Sequence, residues 1–342
     1  MRRFDRTFGS RVCGLAARLL LPLALLALFA APASAQILVR IGTGGPAGTY
    51  FPIGRILADA VTAPAGSACP SAGECGVPGL IAVAQLSNGS IANVEGIRAG
   101  TLEAALAQSD VVYWAYNARG TFAGKEANTR LRFLAFLYAE SLHLVVSRNS
   151  DIRTLDDLRD RRISLDEAGS GTIASARVVL AGYGMSEADL KPEYLKANLA
   201  ADRMREGRLD GFFFIAGWPT PAIRDFAATF SLRLVPISGP EAEAVRKSNP
   251  FLIPGLIPAG TYAQVGDTPT LDVGAQLVVS AVLDDDLVYA MTRELWSPRV
   301  LALLSRGHPK GATIAPSRAL LGAAIPIHPG AQRFYREQGM LD

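Results

Sequence analysis

From residue 36 onward, short runs of β-branched and apolar residues alternate with stretches of helical periodicity. This alternation constrains the chain most, because strands separated by helices build sheets with helices packed on their faces, and it predicts an α/β architecture. Residues 37–41 read as a strand and 52–61 as its helix; 80–85 and 104–107 are further strands, followed by helices at 91–99 and 111–119. Residues 131–137 and 142–147 read as two extended segments almost back to back. The intervening Tyr138-Ala139-Glu140-Ser141 marks a point where the chain could cross between lobes. A second series follows, with strands at 162–165, 191–195, 211–215 and 232–237 and helices at 173–181 and 200–206. Residues 250–270 carry few periodic signals, 276–281 are strand-like, and 284–296 are helical. The acids Asp284-Asp285-Asp286 fall in that helix's first turn, where its dipole favours them, so a helix start explains them better than a metal site.

Four strand-to-helix junctions share one composition. They are residues 42–50 (Gly42-Thr43-Gly44-Gly45-Pro46-Ala47-Gly48-Thr49-Tyr50), 87–90, 108–110 and 168–172. Glycine lets main-chain N–H groups approach a ligand, hydroxyls add donors, and each following helix start carries about half a positive charge. In open α/β sheets such loops lie at the carboxyl ends of strands, where ligands bind. Converged, they would hold an anion without Lys or Arg, and none of the four contains either. Each loop taken singly is ordinary helix punctuation. The first is no Walker A loop, since no Lys-Ser/Thr follows its glycines. Nor is it a dinucleotide fingerprint, because Ala47 stands where the third glycine belongs.

With 49% hydrophobic and 19% charged residues, the chain has ample material for a core and does not read as disordered. Its net charge of +3 comes from the first 35 residues, whose five arginines and single Asp5 leave a balance of −1 for residues 36–342. No basic patch remains to bind nucleic acid. Residues 1–35 read as a cleaved secretory signal peptide: a basic region through Arg18, an apolar run at 19–31 and small residues Ala33-Ser34-Ala35. The alternative, a membrane anchor, is disfavoured because the run is short and carries Pro22, whereas a span needs about 20 apolar residues. Export implies a soluble periplasmic protein. There, Cys69 and Cys75, flanking a short Pro/Gly-rich loop, are expected to form a disulfide rather than remain free thiols.

An enzyme reading finds few reagents. The histidines are His143, His308 and His328, and neither a G-x-S-x-G elbow nor an H-E-x-x-H motif occurs. Ser170 with His143 as base would be the one hydrolase pairing, and no spacing supports it. Tyr50, Tyr113, Tyr138 and Phe214 are candidates to wall a small-ligand pocket, Tyr50 and Tyr138 foremost because they sit at loop ends.

At the glycine-rich junctions the sequence closely resembles the TAXI family, the extracytoplasmic solute-binding proteins of tripartite ATP-independent periplasmic (TRAP) transporters. The likeness runs through Ile41-Gly42-Thr43-Gly44-Gly45, Gly48-Thr49-Tyr50-Phe51-Pro52, Ser87-Asn88-Gly89-Ser90, Gln108-Ser109-Asp110, Gly169-Ser170-Gly171-Thr172 and Asp210-Gly211-Phe212-Phe213-Phe214. It continues at Pro219-Thr220-Pro221, at Pro258-Ala259-Gly260-Thr261-Tyr262 and at His328-Pro329-Gly330. This resemblance implies a two-lobed periplasmic-binding-protein fold, each lobe a mixed sheet flanked by helices, with the ligand in the interlobe cleft. Lobe one would comprise residues 36–138 plus 275–342, and lobe two residues 139–274. It further implies a monomeric receptor without cofactor or metal. Such a receptor would deliver a small polar carboxylate, akin to glutamate, glutamine or 2-oxoglutarate, to membrane subunits driven by an ion gradient. Thr43, Gly44, Gly48, Thr49, Tyr50, Ser87, Asn88, Ser90, Gln108 and Ser109 would line one wall. Tyr138, His143, Gly169, Ser170, Gly171, Thr172 and Phe214 would complete the site. The other class of TRAP binding protein clamps its carboxylate with an arginine, which these loops lack. The rival roles are a sensor presenting its bound state to a signalling partner, a secreted Ser/His hydrolase, and a periplasmic chaperone or adhesin.

Overall fold

Strand propensity, read along the chain, is realised as a single mixed sheet. The computed structural model describes residues 36–67 and 75–342. The predicted signal peptide and Cys69 lie outside those residues; Cys75 is disulfide-bonded. The first series comprises β1 (Ile37–Gly42), α1 (Tyr50–Val61), β2 (Thr62–Ala63), β3 (Val77–Pro78), β4 (Leu80–Gln85), α2 (Ser90–Ala99), β5 (Ala104–Gln108) and α3 (Ser109–Asn117). A long strand, β6 (Leu131–Ser147), leads to the second series: β7 (Arg162–Ser164), α4 (Gly171–Gly182), β8 (Lys191–Glu193), α5 (Ala197–Arg205), β9 (Gly211–Ala216) and α6 (Pro221–Ala227). That series continues with β10 (Leu232–Leu234), α7 (Pro240–Ser248) and β11 (Ile253–Ile257). The chain returns along β12 (Thr268–Ser280) and ends in α8 (Asp285–Leu295), α9 (Pro298–Gly307) and α10 (Pro329–Glu337).

Among the described residues the strands pair in the order β3-β2-β4-β1-β5-β12-β6-β9-β7-β8, with β10 on β6 and β11 on β12. β1 runs parallel to β4 and β5, and β7 parallel to β8 and β9. Between these two parallel groups, β12 and β6 form an antiparallel pair. One end of the pair joins β5 through Ala275–Gln108 and its neighbours; the other joins β9 through Ser141–Ala216. The expected two sheets are therefore one continuous sheet that two strands thread from half to half.

Two expectations differ from the structure here. Residues 138–141 do not interrupt β6, because Tyr138, Ala139, Glu140 and Ser141 pair with Ala275, Gly274, Val273 and Asp272. Polar side chains at Glu140 and Ser141 broke the apolar alternation, while the backbone groups had partners far away in sequence. Likewise β12 starts at Thr268, and the weakly patterned stretch before it supplies β11 as its antiparallel neighbour. A proline such as Pro254 suits such a peripheral strand, which needs no donor on its outer side.

Helices cover both faces of each group. In the first half, Leu134, Leu137, Ala275 and Leu277 pack with Ile53 and Leu57 of α1 and Val288 of α8, while Phe133 and Val278 pack on the opposite face with Val94, Ile97 and Val111. In the second half, Leu144, Val146 and Phe213 pack with Val179 and Leu180 of α4, and the alternate residues Val145 and Phe212 face Ile223 and Phe226. This period-two division is that of a strand buried on both sides. Asp284 caps α8 by accepting a hydrogen bond from Leu287 N–H at 3.0 Å, which accounts for the acidic triplet. No helix among the described residues is long and apolar enough to cross a membrane.

Leu144 is fully buried in the second half's core. Leu144→Ala should remove about 2–5 kcal/mol of stability, read as an earlier urea midpoint; an unchanged midpoint would place the side chain outside a close-packed core.

Candidate functional site

The four glycine- and hydroxyl-rich junctions lie at the carboxyl ends of β1, β4, β5 and β7, and the chain turns directly from them into α1, α2, α3 and α4. They meet at a cavity of about 190 Å³ between the two strand groups, room for a solute of roughly ten non-hydrogen atoms. Gly44, Gly48, Thr49, Tyr50, Asn88, Ser90, Gln108, Ser170, Gly171, Thr172 and Phe214 line it. Gly171 is required by contact: a Cβ there would lie 1.8 Å from Gln108 Oε1 and 2.8 Å from Ser90 Oγ.

Other predicted residues stand behind this lining. Thr43 holds the first loop to β4, its N–H and Oγ1 donating to Gln85 O at 2.9 and 2.8 Å. Ser87 Oγ donates to Thr43 O at 2.8 Å, and Asn93 Nδ2 bridges Thr43 O and Leu106 O at 2.7 Å each. Ser109 and Gly169 are outside the lining, and Gly169 O accepts Ala92 N–H at 2.9 Å. Tyr138 is buried beneath the site, its hydroxyl without a hydrogen bond.

His143 is also placed elsewhere. It is fully buried, with Nδ1 2.9 Å from Ser141 O and 3.2 Å from Phe214 O, and Nε2 3.0 Å from Tyr262 Oη. Two carbonyls at Nδ1 require the proton there, so Nε2 accepts from Tyr262, which in turn accepts Thr220 N–H at 3.2 Å. Burial pushes the imidazole down to about 4 and keeps it neutral. His143 thus braces the 217–222 loop. Ser170 Oγ accepts Ile173 N–H at 3.2 Å as the cap of α4, so the two residues of the hydrolase pairing have separate structural tasks.

Hydrogen bonds across the cavity tie the halves together. Thr49 Oγ1 donates to Gly217 O at 2.7 Å, and Thr220 Oγ1 and Ala222 N–H donate to Ala47 O at 2.8 and 3.1 Å. Asn88 Nδ2 reaches Ala168 O at 3.1 Å. Deeper, Gln108 Nε2 donates to Ser175 Oγ at 3.0 Å, which donates to Asp110 Oδ2 at 3.1 Å.

The cavity also holds charges that local sequence did not assign to it: Glu140, Asp166, Glu167 and Lys196. No arginine or histidine among the described residues lines it. Tyr50 Oη donates to Glu140 Oε2 at 2.7 Å and, its proton so used, accepts from Ser90 Oγ at 3.3 Å; Ser90 accepts Gln108 N–H at 3.1 Å. Burial pushes the Glu140 carboxyl up to about 8 against the Tyr50 hydrogen bond. Asp110 and Asp272 add to the rise, and Lys310 opposes it. Burial likewise pushes Asp166 up to about 7, against the Glu167 N–H bond, and Asp110 up to about 6. Lys196 Nζ lies 3.4 Å from Glu167. Lys310 Nζ sits 3.8 Å from the centre of the Trp218 ring, a cation–π contact. Glu140 had a visible signal, an acid inside an apolar strand run. Lys196 and Asp166 had none.

Comparison with known proteins gives the following. A model of the NMT1-like family matches residues 41–339. A solved structure from Bordetella bronchiseptica RB50 shares the fold at 14% identity and TM-score 0.50, covering 89% of this chain and 82% of that one. The periplasmic aliphatic sulphonate binding protein SsuA from Escherichia coli is similar at 16% identity and TM-score 0.44, over 88% and 87% of the two chains. The alkanesulfonate-binding protein SsuA from Xanthomonas axonopodis pv. citri, bound to MOPS, is similar at 16% and TM-score 0.47, over 91% and 96%. At these identities the likeness concerns the fold alone.

The raised carboxyls set a pH dependence. Folding favours their neutral forms, so their contribution is complete below their unfolded values near 4 and is lost as pH rises toward 7 and 8. The melting temperature of solute-free protein should fall between pH 5 and pH 8.5, and Glu140→Gln with Asp166→Asn should flatten that slope. An equally steep slope in the double variant would assign the dependence to other groups.

Proposed function

The chain belongs to the NMT1-like family, and from that premise we propose that it is a periplasmic solute receptor. Its two halves close on a small polar solute bearing a carboxylate. The observation that carries this reading is the convergence of four strand-to-helix junctions on one cavity bridged by hydrogen bonds between halves. Main-chain N–H groups at the starts of α1, α2 and α4 offer donors and partial positive charge to an anionic group. Closure excludes water and strengthens each of those bonds. It also builds a shape that differs between free and loaded protein, which is what a membrane partner can distinguish.

The lobes divide, in this reading, at 138/139 and 274/275, where β6 and β12 pass from one strand group to the other. Motif resemblance to the TAXI family supports membrane subunits of an ion-gradient-driven TRAP transporter as the partner. The leader-like residues 1–35 and the disulfide-bonded Cys75 support export to an oxidising compartment.

A carboxylated solute at about 100 times its dissociation constant should stabilise the protein by roughly 2.7 kcal/mol, seen as a higher melting temperature. Mass spectrometry of solute released by denaturing the purified protein would identify it. If no small solute co-purifies and none of a broad set of carboxylates shifts the melt, the receptor reading falls. Gly171→Ala should drive Gln108 from its place between the halves and weaken solute binding at least tenfold, or about 1.4 kcal/mol, in calorimetric titration.

A further inference from the structure

We propose that Lys310, a buried residue outside the cavity lining, makes closure of the two halves depend on a negative charge in the cavity. It would thereby set the preference for an anionic solute over a neutral one of the same shape. This rests on the receptor reading above and assigns its charge selection to one residue. The first ground is position. Lys310 belongs to the short helical turn Pro309–Thr313, which follows α9 and is fixed to the first half. Its N–H donates to His308 Nδ1 at 3.0 Å, and a Cβ on the next residue, Gly311, would lie 1.9 Å from Leu304 O. The side chain, however, reaches the second half. Its stem packs on Gly217, where a Cβ would lie 2.6 Å from Lys310 Cγ and 3.1 Å from Thr49 Cγ2, and its ammonium stands over Trp218. Gly217 and Trp218 belong to the loop that Thr49 and Ala47 hold from the first half. Closure of that loop is therefore what buries the lysine, to 6% exposure.

The second ground is the want of a partner. Among the described residues the Lys310 ammonium has no hydrogen-bond acceptor and no ion pair; its contact is the face of Trp218. An enclosed ammonium without an acceptor costs free energy that an open, hydrated one does not. The titratable groups near it offset little of that cost. Glu140 is neutral near pH 7, and Asp272, whose Oδ1 already accepts from Ser141 Oγ at 2.6 Å, is itself pushed up by burial. His143 and His308, both held down by burial, are uncharged. In agreement, burial holds the Lys310 ammonium below the usual lysine value in spite of Asp272 and Glu140.

The third ground is nearness to the cavity. Thr49, which shares Gly217 with the lysine stem, lines the cavity, and so does Glu140, on which the ammonium acts. The ammonium thus stands behind the lining, where a solute anion attracts it with little water to screen the pair. A bound anion offsets the cost of burying Lys310; a neutral solute leaves it in full. The empty protein is accordingly biased toward opening, and a solute of the wrong charge closes it poorly.

The test is Lys310→Met, which keeps the stem and removes the charge. In solute-free protein, amide hydrogen exchange at residues 45–49 and 217–222 should slow at least about threefold as the closed form gains population. Calorimetric titrations then compare near-isosteric solutes that differ by one charge: L-glutamate with L-glutamine, and glutarate with glutaramate. In any pair that binds the wild type, the more negative member should be at least about tenfold tighter, and Lys310→Met should shrink that preference at least about threefold. Lys310→Arg should keep the wild-type behaviour. Exchange that is unchanged or faster in Lys310→Met, or a charge preference that survives it, overturns this inference, and solute binding by the wild type leaves the receptor reading intact. A wild type that binds the less negative member equally well or better overturns it without any variant. Should none of the four bind and nothing co-purify, both readings fall. If Lys310→Met does not fold, Lys310→Gln takes its place in the same measurements.

Discussion

The antiparallel ladder between β6 and β12 is the constraint on which the rest of the structure depends. These strands belong to both halves, so the hydrogen bonds that pair them also set where each half begins and how the two face one another. Interior backbone must be paired, and continuous pairing at 138–141 carries Glu140 and Ser141 through the middle of the protein instead of into a surface loop. Glu140 stands on that ladder, and the other residues on the cavity stand on the neighbouring β5 and β9 or at the junctions that lead into α1, α2, α4 and α5.

What results is a cavity with two chemical characters. Helix starts and hydroxyls supply donors from the first half, with the cap of α4 adding more from the second. Buried carboxyls supply acceptors from β6 and from the turn after β7. Tyr50 donates to Glu140, and Lys196 pairs with Glu167.

Much of this was legible along the chain. The strands at 37–41, 80–85 and 211–215, and the helix after Asp284, follow from alternation, periodicity and capping, all carried by neighbouring residues. The glycine junctions were legible for the same reason, and at Gly171 the backbone does come too close to Gln108 for any side chain. The same habit of reading misplaced 138–141, because a strand whose polar residues face a cleft has no clean alternation. It also drew His143 toward the cavity, whereas the buried ring is held by Tyr262, 119 residues away.

Local pattern thus wrote the elements, their caps and the loops that precede the helices. The acids of the cavity are different in kind. Asp166, Glu167 and Lys196 look like ordinary surface charges in sequence, and Glu140 like an interruption. Their surroundings follow from burial and from which groups stand within reach, and both are set by contacts between segments well separated in the chain, as with Tyr50 and Glu140 or Lys196 and Glu167. Electrostatic energy depends on distance and solvent exclusion, neither of which is a property of neighbours in a chain.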